Sequence, residues 1–351
     1  MTRMVSHKTT RRNLLKTVGI AAGAGLAASY LGACARKEDT KPAAAGGTAQ
    51  EMASQQSSGT SGELTPDLID KAHETVVKQF PAKTEGEGCL PLEPKIDGDV
   101  KVFELTCKEV DWEVKPGIKI KAWTYNGTVP GPLLRFKEGD KVRIVIKNEL
   151  PESTSLHLHD LRVPNKFDGV TYVTNPPIKP GETQVYEFVA TAPGSHMYHS
   201  HHNAYEQITR GLAGGIIVDP KDGRNYGETQ DIMILLNDGA LGYTINGKQF
   251  PATKPIVAKK GEIVRLRLMN TGQLYHPFHL HGLPMKIVEI DGFPLANPWM
   301  CDTISLNPGN RYDAIVKADN PGVWAFHCHV LTHAESPQGM HSMVTVFIVQ
   351  E

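Results

Sequence analysis

The sequence predicts an all-β chain built as two tandem β-sandwiches, and three observations carry that prediction. Apolar runs are short and broken by turn residues, with 33 Gly and 24 Pro in 351 residues. That pattern suits many strands joined by tight turns. Four His-x-His pairs, His157/His159, His199/His201, His279/His281 and His327/His329, fall in a repeated layout. The first two pairs start 42 residues apart and the last two 48, and corresponding pairs are offset by 122 and 128. Such a tandem repeat implies two similar domains. The chain is 40% hydrophobic with a formal net charge of −1. It is long enough to bury two ordinary domains, and its charge gives no electrostatic reason for a nucleic-acid partner.

Taken in order, residues 1–33 read as an export signal. Thr10-Arg11-Arg12-Asn13-Leu14-Leu15-Lys16 resembles a twin-arginine motif, followed by the apolar stretch Val18–Ala33. That stretch is shorter than the roughly 20 residues of a membrane span. Leu31-Gly32-Ala33-Cys34 resembles a bacterial lipobox, which implies lipidation at Cys34. Residues 34–62 are rich in Ala, Gly, Ser, Gln and Lys and read as a flexible tether. Residues 63–95 form an N-terminal extension. It contains a predicted short helix with Thr65 as N-cap and Pro66 at the first helical position; His73 on it reads as a surface residue. The first domain spans 96–222, with strands in KVFELTCKEV, KIKAWTYN, KVRIVIKN, TQVYEFVA and LAGGIIVD. The second spans 228–351, with strands in DIMILLND, IVRLRLMN, MKIVEID, RYDAIVKA, VWAFHCH and VTVFIV.

The chemistry is concentrated in WAFHCHVLTHAESPQGMHSM, residues 324–343. On a strand, neighbouring side chains point to opposite faces. His327 and His329 then share one face and Cys328 takes the other, so one strand can serve two metal sites. A Cys thiolate, two His and a weak Met are the ligands of a blue-copper site. His276, Cys328, His333 and Met340 fit that set, with Met343 as a competitor for the last position. Alone, the stretch also fits a zinc site or a core His pair. Four His-x-His pairs in a repeat call for several metal ions.

These motifs resemble those of the multicopper oxidases. The residues that carry the resemblance are LHLHDLRVPNKFDGV (156–170), MYHSHH (197–202), HPFHLHG (276–282) and HCHVLTH (327–333), with echoes in YNGTVPGP (125–132) and PGNRYD (308–313). The resemblance spans roughly residues 100–350 and is to a two-domain, laccase-like member. It implies tandem cupredoxin-like Greek-key sandwiches. It implies a type 1 copper held by His276, Cys328, His333 and Met340. His157 and His279 then correspond to type 2 ligands. His159, His199, His201, His281, His327 and His329 correspond to the type 3 pair. That makes four coppers per chain equivalent. The implied reaction moves single electrons from a phenol, aromatic amine or metal ion to the type 1 site, and four electrons on to O2, giving water.

The same resemblance suggests a homotrimer whose copper clusters lie between subunits, while the twin-arginine and lipobox motifs imply a lipid-anchored protein of the bacterial cell envelope. Asp168 fits the Asp of the family's Asp-Gly turn and is a candidate proton-handling acid beside the cluster; a turn Asp bonded to its own backbone is the alternative. Asp160, directly after His159, reads either as added charge near the type 2 site or as a loop residue. Glu335, two residues after His333, is a second candidate acid. His196, His202 and His341 match no ligand position. Cys89, Cys107 and Cys301 allow one disulfide in an exported protein, and the sequence does not choose the pair. Two other functions remain open from sequence: a copper nitrite reductase, disfavoured by Ser200 between His199 and His201, and a blue-copper electron carrier, which leaves three His-x-His pairs unexplained. The electron donor is not legible.

Overall fold

The computed structural model describes residues 65–351. The export, lipidation and tether readings lie outside those residues. Among the described residues no helix is long and apolar enough to cross a membrane. The described residues begin with helix α1 (Pro66–Lys78), whose N-terminus is capped as Thr65 Oγ1 accepts from the Leu68 N–H, with Pro66 at the first turn.

The first domain follows as β1 (Lys95–Asp97), β2 (Val100–Lys115), β3 (Ile118–Tyr125), β4 (Gly131–Lys137), β5 (Lys141–Asn148), β6 (His157–Leu158), β7 (Thr183–Val189), β8 (Gly194–His199), the short helix α2 (Ala204–Thr209) and β9 (Ala213–Asp219). One sheet runs β1-β2-β5-β7 with β3 also on β2, and the other runs β4-β9-β8-β6. β5 shows why these runs become strands: Val142, Ile144, Ile146 and Asn148 are buried while the residues between them are not. That two-residue period presents one apolar face. Phe103, Leu105, Ile144 and Ile146 from the first sheet meet Leu134, Phe136, Tyr198 and Ile216 from the second in one core. Burying each such side chain contributes about 1.5–3 kcal/mol.

The second domain repeats the plan with β10 (Gln230–Asn237), β11 (Thr244–Ile245), β12 (Ile256–Lys259), β13 (Ile263–Asn270), β14 (His276–Leu280), β15 (Met285–Ile290), β16 (Phe293–Cys301), β17 (Thr303–Leu306), β18 (Arg311–Lys317), β19 (Gly322–Cys328), β20 (Glu335–Ser336), β21 (Gly339–Met340) and β22 (Val344–Gln350). Its sheets run β11-β10-β13-β18-β15-β16 and β12-β22-β19-β14-β17, and β20 pairs only with β21. Cys328 lies inside the core between these sheets, with Phe278, Phe326, Phe347 and Met343.

β13 is buried along nearly its whole length because both its faces are covered. Val264, Leu266 and Leu268 face the domain's own core, while Met269 joins Met233 and Leu235 against Leu133, Met197 and Ile217 of the first domain. Arg267, in the same strand, donates to Ser195 Oγ of the first domain at 2.7 Å and is ion-paired with Asp231 and Asp313. The buried arginine is therefore matched by acids, as burial of a charge demands.

The disulfide that the sequence allows is not formed among the described residues. Cys89, Cys107 and Cys301 are all free thiols. Each packs against a different apolar cluster, so no pair is available to bridge.

Candidate metal centre

The eight His-x-His histidines form two sets of four, one per domain. β6 and β8 place His157 directly opposite His199. β14 and β19 place His279 directly opposite His327 in the same way. The second histidine of each pair lies just past its strand. In the first set, His159 Nε2 and His199 Nε2 are 2.8 Å apart, and His157, His159 and His199 have ligand atoms close enough to share an ion. In the second set, His281 Nε2 and His327 Nε2 are 3.2 Å apart. Ring contacts run within each set, and among the described residues none joins the two sets. His201, His281 and His329 are exposed.

Backbone carbonyls orient several of these rings. His157 Nδ1 donates to the Asp168 carbonyl oxygen at 2.7 Å, His199 Nδ1 to Ser200 at 2.7 Å, His279 Nδ1 to Asp302 at 3.1 Å and His327 Nδ1 to Cys328 at 2.9 Å. Each bond fixes the tautomer and leaves Nε2 with its lone pair outward, which is how a ligand imidazole is prepared. Burial, followed by the neighbouring His199, drives His159 down to about 2, and burial drives His199 down to about 4. These rings are neutral at physiological pH, the form that binds metal.

The second site is closed. His276 Nδ1 and His333 Nδ1 are 3.3 Å apart, and Cys328 Sγ is 3.7 Å from each. All three residues are buried. A triangle with those edges has its centre about 2 Å from every corner, an ordinary metal–ligand distance. Two imidazoles and a thiolate are the donor set that selects copper in electron-transfer sites, so the residues fit the group that the sequence implies. Burial holds the free Cys328 thiol up at about 11 and His333 down at about 4.

Three more residues shape these sites: Asp238 and Tyr243 carry no sequence signal of their own, and Arg311 lies in the PGNRYD stretch but with nothing there to mark its contact. Asp238 accepts from the Gln273 and Leu274 N–H groups and from His276 Nε2 at 3.0 Å, which turns His276 Nδ1 toward Cys328. Burial alone would raise the Asp238 carboxyl, but these hydrogen bonds hold it below its ordinary value. A Cβ on Gly272 would lie 2.1 Å from Asp238 Oδ2, so only glycine permits this approach. Tyr243 stacks on His333 with ring centroids 3.8 Å apart. Arg311, from the second domain, reaches His159 Nδ1 of the first at 3.3 Å.

The remaining sequence candidates divide. Asp168 lies beside His157, with its carboxylate 3.6 Å from Nδ1. Asp160 adopts φ +56°, a turn conformation that Asp tolerates. Glu335 is not brought to a ligand histidine; its carboxylate is half exposed and lies 3.6 Å from His73 of α1. Met340 packs with Phe250, Ala334 and Val344. Met343 is buried in the Cys328 core, accepting from the Cys328 N–H and donating to the His333 carbonyl, each at 3.0 Å. His196 donates to Ala192 within the domain interface, and His341 contacts Ser342.

Comparison with known proteins agrees with this architecture. Multicopper oxidase family models match residues 106–223 and 227–350. The chain is 36% identical to copper resistance protein A of Escherichia coli over 65% of this chain and 47% of that protein. It is 31% identical to a probable nitrite reductase-hydroxylamine oxidoreductase fusion protein of Kuenenia stuttgartiensis over 73% of this chain and 32% of that protein. It thus spans half or less of these relatives. Among solved structures, the blue copper oxidase from Nitrosomonas europaea superposes with a TM-score of 0.67 at 34% identity, covering 71% of this chain and 86% of that one. With tandem cupredoxin-like domains and family models matched across both, the chain belongs to the multicopper oxidase family.

Proposed function

We propose that the protein is a laccase-like oxidase that takes single electrons from a reducing substrate and delivers four of them, with four protons, to O2 to give two waters. The observation that carries this is the pairing of one buried Nδ1/Nδ1/Sγ site with two outward-facing sets of four histidines. His276, Cys328 and His333 would hold the type 1 copper, with Met340 as the weak fourth ligand and Met343 as its competitor. His157 and His279 hold the type 2 copper, and His159, His199, His201, His281, His327 and His329 the type 3 pair, giving about four coppers per chain. When bound, copper supplies the one-electron chemistry at the first site and O2 reduction at the cluster. The protein does the rest. Asp238 orients His276, the bonds from Cys328 to His327 and His329 give a covalent route between the sites, and Asp168, whose carboxylate lies 3.6 Å from His157 Nδ1 on the side of the ring away from the metal-facing Nε2, is our candidate acid for proton supply.

The two histidine sets belong to different domains, do not touch within one chain and keep exposed members. This supports a cluster formed where the first domain of one subunit meets the second domain of the next. Such heterologous contacts close without open ends in a ring, and a homotrimer is the assembly we propose. The twin-arginine and lipobox motifs support export and lipid anchoring in the cell envelope. A nitrite reductase reading is disfavoured at Ser200, which occupies the place of a type 1 Cys and is instead buried against Gln207 and Thr154. An electron carrier needs the Cys328 site alone, so copper counting separates it from an oxidase. To test the assembly, a His157→Ala/His159→Ala variant is mixed with a His327→Ala/His329→Ala variant. Mixed rings pair some intact halves and are expected to regain activity. An active monomer in sedimentation, or no rescue despite proven subunit exchange, overturns the arrangement.

A further inference from the structure

Helix α1 precedes both stretches that match the family, which begin at residue 106. It does not lie idle on the surface. It rests on the β20–β21 loop, the segment that runs from His333 to Met340. The approach is close enough that a Cβ on Gly339 would lie 2.7 Å from Val76 Cγ1 and 3.1 Å from the His73 Cα. Gly339 also has φ +107°, so no other residue meets both demands at that point. Val76 and Phe80 pack with Ala334, Met340, Val344 and Phe250. Phe80 stacks on Phe250 with centroids 5.1 Å apart, and Ala82 donates to the Pro251 carbonyl at 2.8 Å. Phe250 in turn donates to the Ser342 carbonyl at 2.9 Å. One aromatic residue thus ties the segment after the helix to the far end of the ligand loop. His73 facing Glu335 at 3.6 Å adds a polar contact at the near end.

Apart from the helix, that loop is closed at its base by backbone bonds from His341 to Ala334 and from Met343 to His333, and its tip is thinly held. β20 and β21 pair only two residues each, and Pro337 and Gln338 between them are exposed. A long loop bearing a ligand gains many conformations when an outer contact is lost. An electron-transfer site works best when its ligands move little, and its potential depends on the apolar shell that keeps water out.

We propose that α1 and Phe80 act as a clamp on the His333–Met340 loop, with Val76 and Phe80 as positioning residues that hold the donor-facing side of the type 1 site rigid and dry. This rests on the type 1 assignment above. The test uses the full chain with Val76→Asp, which places a carboxylate at the Gly339 contact, and Phe80→Ala. Glu74→Ala on the opposite, solvent face of the same helix, where it removes only an exposed pair with Lys78, is the control. In the metal-free protein, amide exchange of residues 334–342 is expected to rise at least about tenfold in both test variants and to stay unchanged in the control. In the copper-loaded protein, the midpoint potential of the blue band is expected to fall as water reaches the site. Unchanged loop exchange and potential in both test variants, or an equal effect in Glu74→Ala, overturns the clamp. If the unmodified loaded chain shows no blue band, the type 1 assignment fails, while loop exchange in the metal-free protein still decides the clamp.

Discussion

The two domains place the same strand in the same register and then diverge by a few side chains. In the second domain, β19 turns Cys328 inward to His276 and His333. In the first, the residue 128 positions earlier is Ser200, and 122 positions before His276 stands Thr154. Ser200 Oγ lies 2.5 Å from Gln207 Oε1 and 3.2 Å from Thr154 Oγ1, with Thr154 and Gln207 2.8 Å apart. Gln207 comes from α2, whereas His333 ends the turn Leu331–His333. The fold therefore supplies two equivalent buried pockets. One is filled by hydroxyl and amide groups that satisfy each other, and the other by soft and imidazole donors that leave their lone pairs converging. Cys328→Ser makes the second pocket chemically like the first. The expected result is complete loss of the blue thiolate absorption and of donor oxidation, with cluster copper retained. A persisting blue band in that variant would remove Cys328 from the site.

The outward faces differ less. His157 and His279 each donate Nδ1 to an aspartate carbonyl, Asp168 and Asp302. Their carboxylates are not equivalent. That of Asp168 is 35% exposed and 3.6 Å from its histidine, while that of Asp302 is 75% exposed at 4.0 Å. The more enclosed acid is the better placed to hold and pass a proton at a cluster. Asp168→Asn is expected to slow O2 reduction about 10- to 100-fold while the type 1 site is reduced at its normal rate. Asp302→Asn is expected to change it far less. Equal effects, or none, in stopped-flow reoxidation would reduce Asp168 to a turn residue.

The loop after His333 stands where the first domain has α2, and it carries Met340, the proposed weak fourth ligand. Met340→Leu is expected to keep copper and colour but raise the potential, since a weak donor is replaced by none. If Met343→Leu shifts the potential and Met340→Leu does not, the axial role moves to Met343.

What the sequence disclosed follows the same division. The repeat, the gathering of the His-x-His histidines and the start of α1 are legible because each is local: a two-residue spacing on a strand, or a Thr-Pro helix start. Asp238 was not, because it meets His276 from 38 residues away and nothing in Asn237-Asp238-Gly239 marks it. Arg311 meets His159 across 152 residues and a domain boundary. β16 was missed because Pro294 and Pro298 break the strand pattern, which an edge strand tolerates. β8 and β14 were read as ligand motifs, with buried histidines disguising their strand character. The expected disulfide failed because cysteine count carries no information on which clusters the thiols join.

The smallest expected effect comes from the pocket that holds no donors. Ser200→Ala removes one hydroxyl: Thr154 Oγ1 still donates to Gln207 Oε1, and only the part-buried His202 N–H loses its acceptor. The loss should be about 1 kcal/mol in denaturant unfolding, with copper content and blue absorption unchanged. Ser200→Cys carries the comparison to its end. It restores the thiol at the equivalent strand position, yet Thr154 and Gln207 present no imidazole, so a new blue band is not expected. If one appears, a single Cys suffices to build the site in either domain, and the pocket rather than its histidines determines where copper binds.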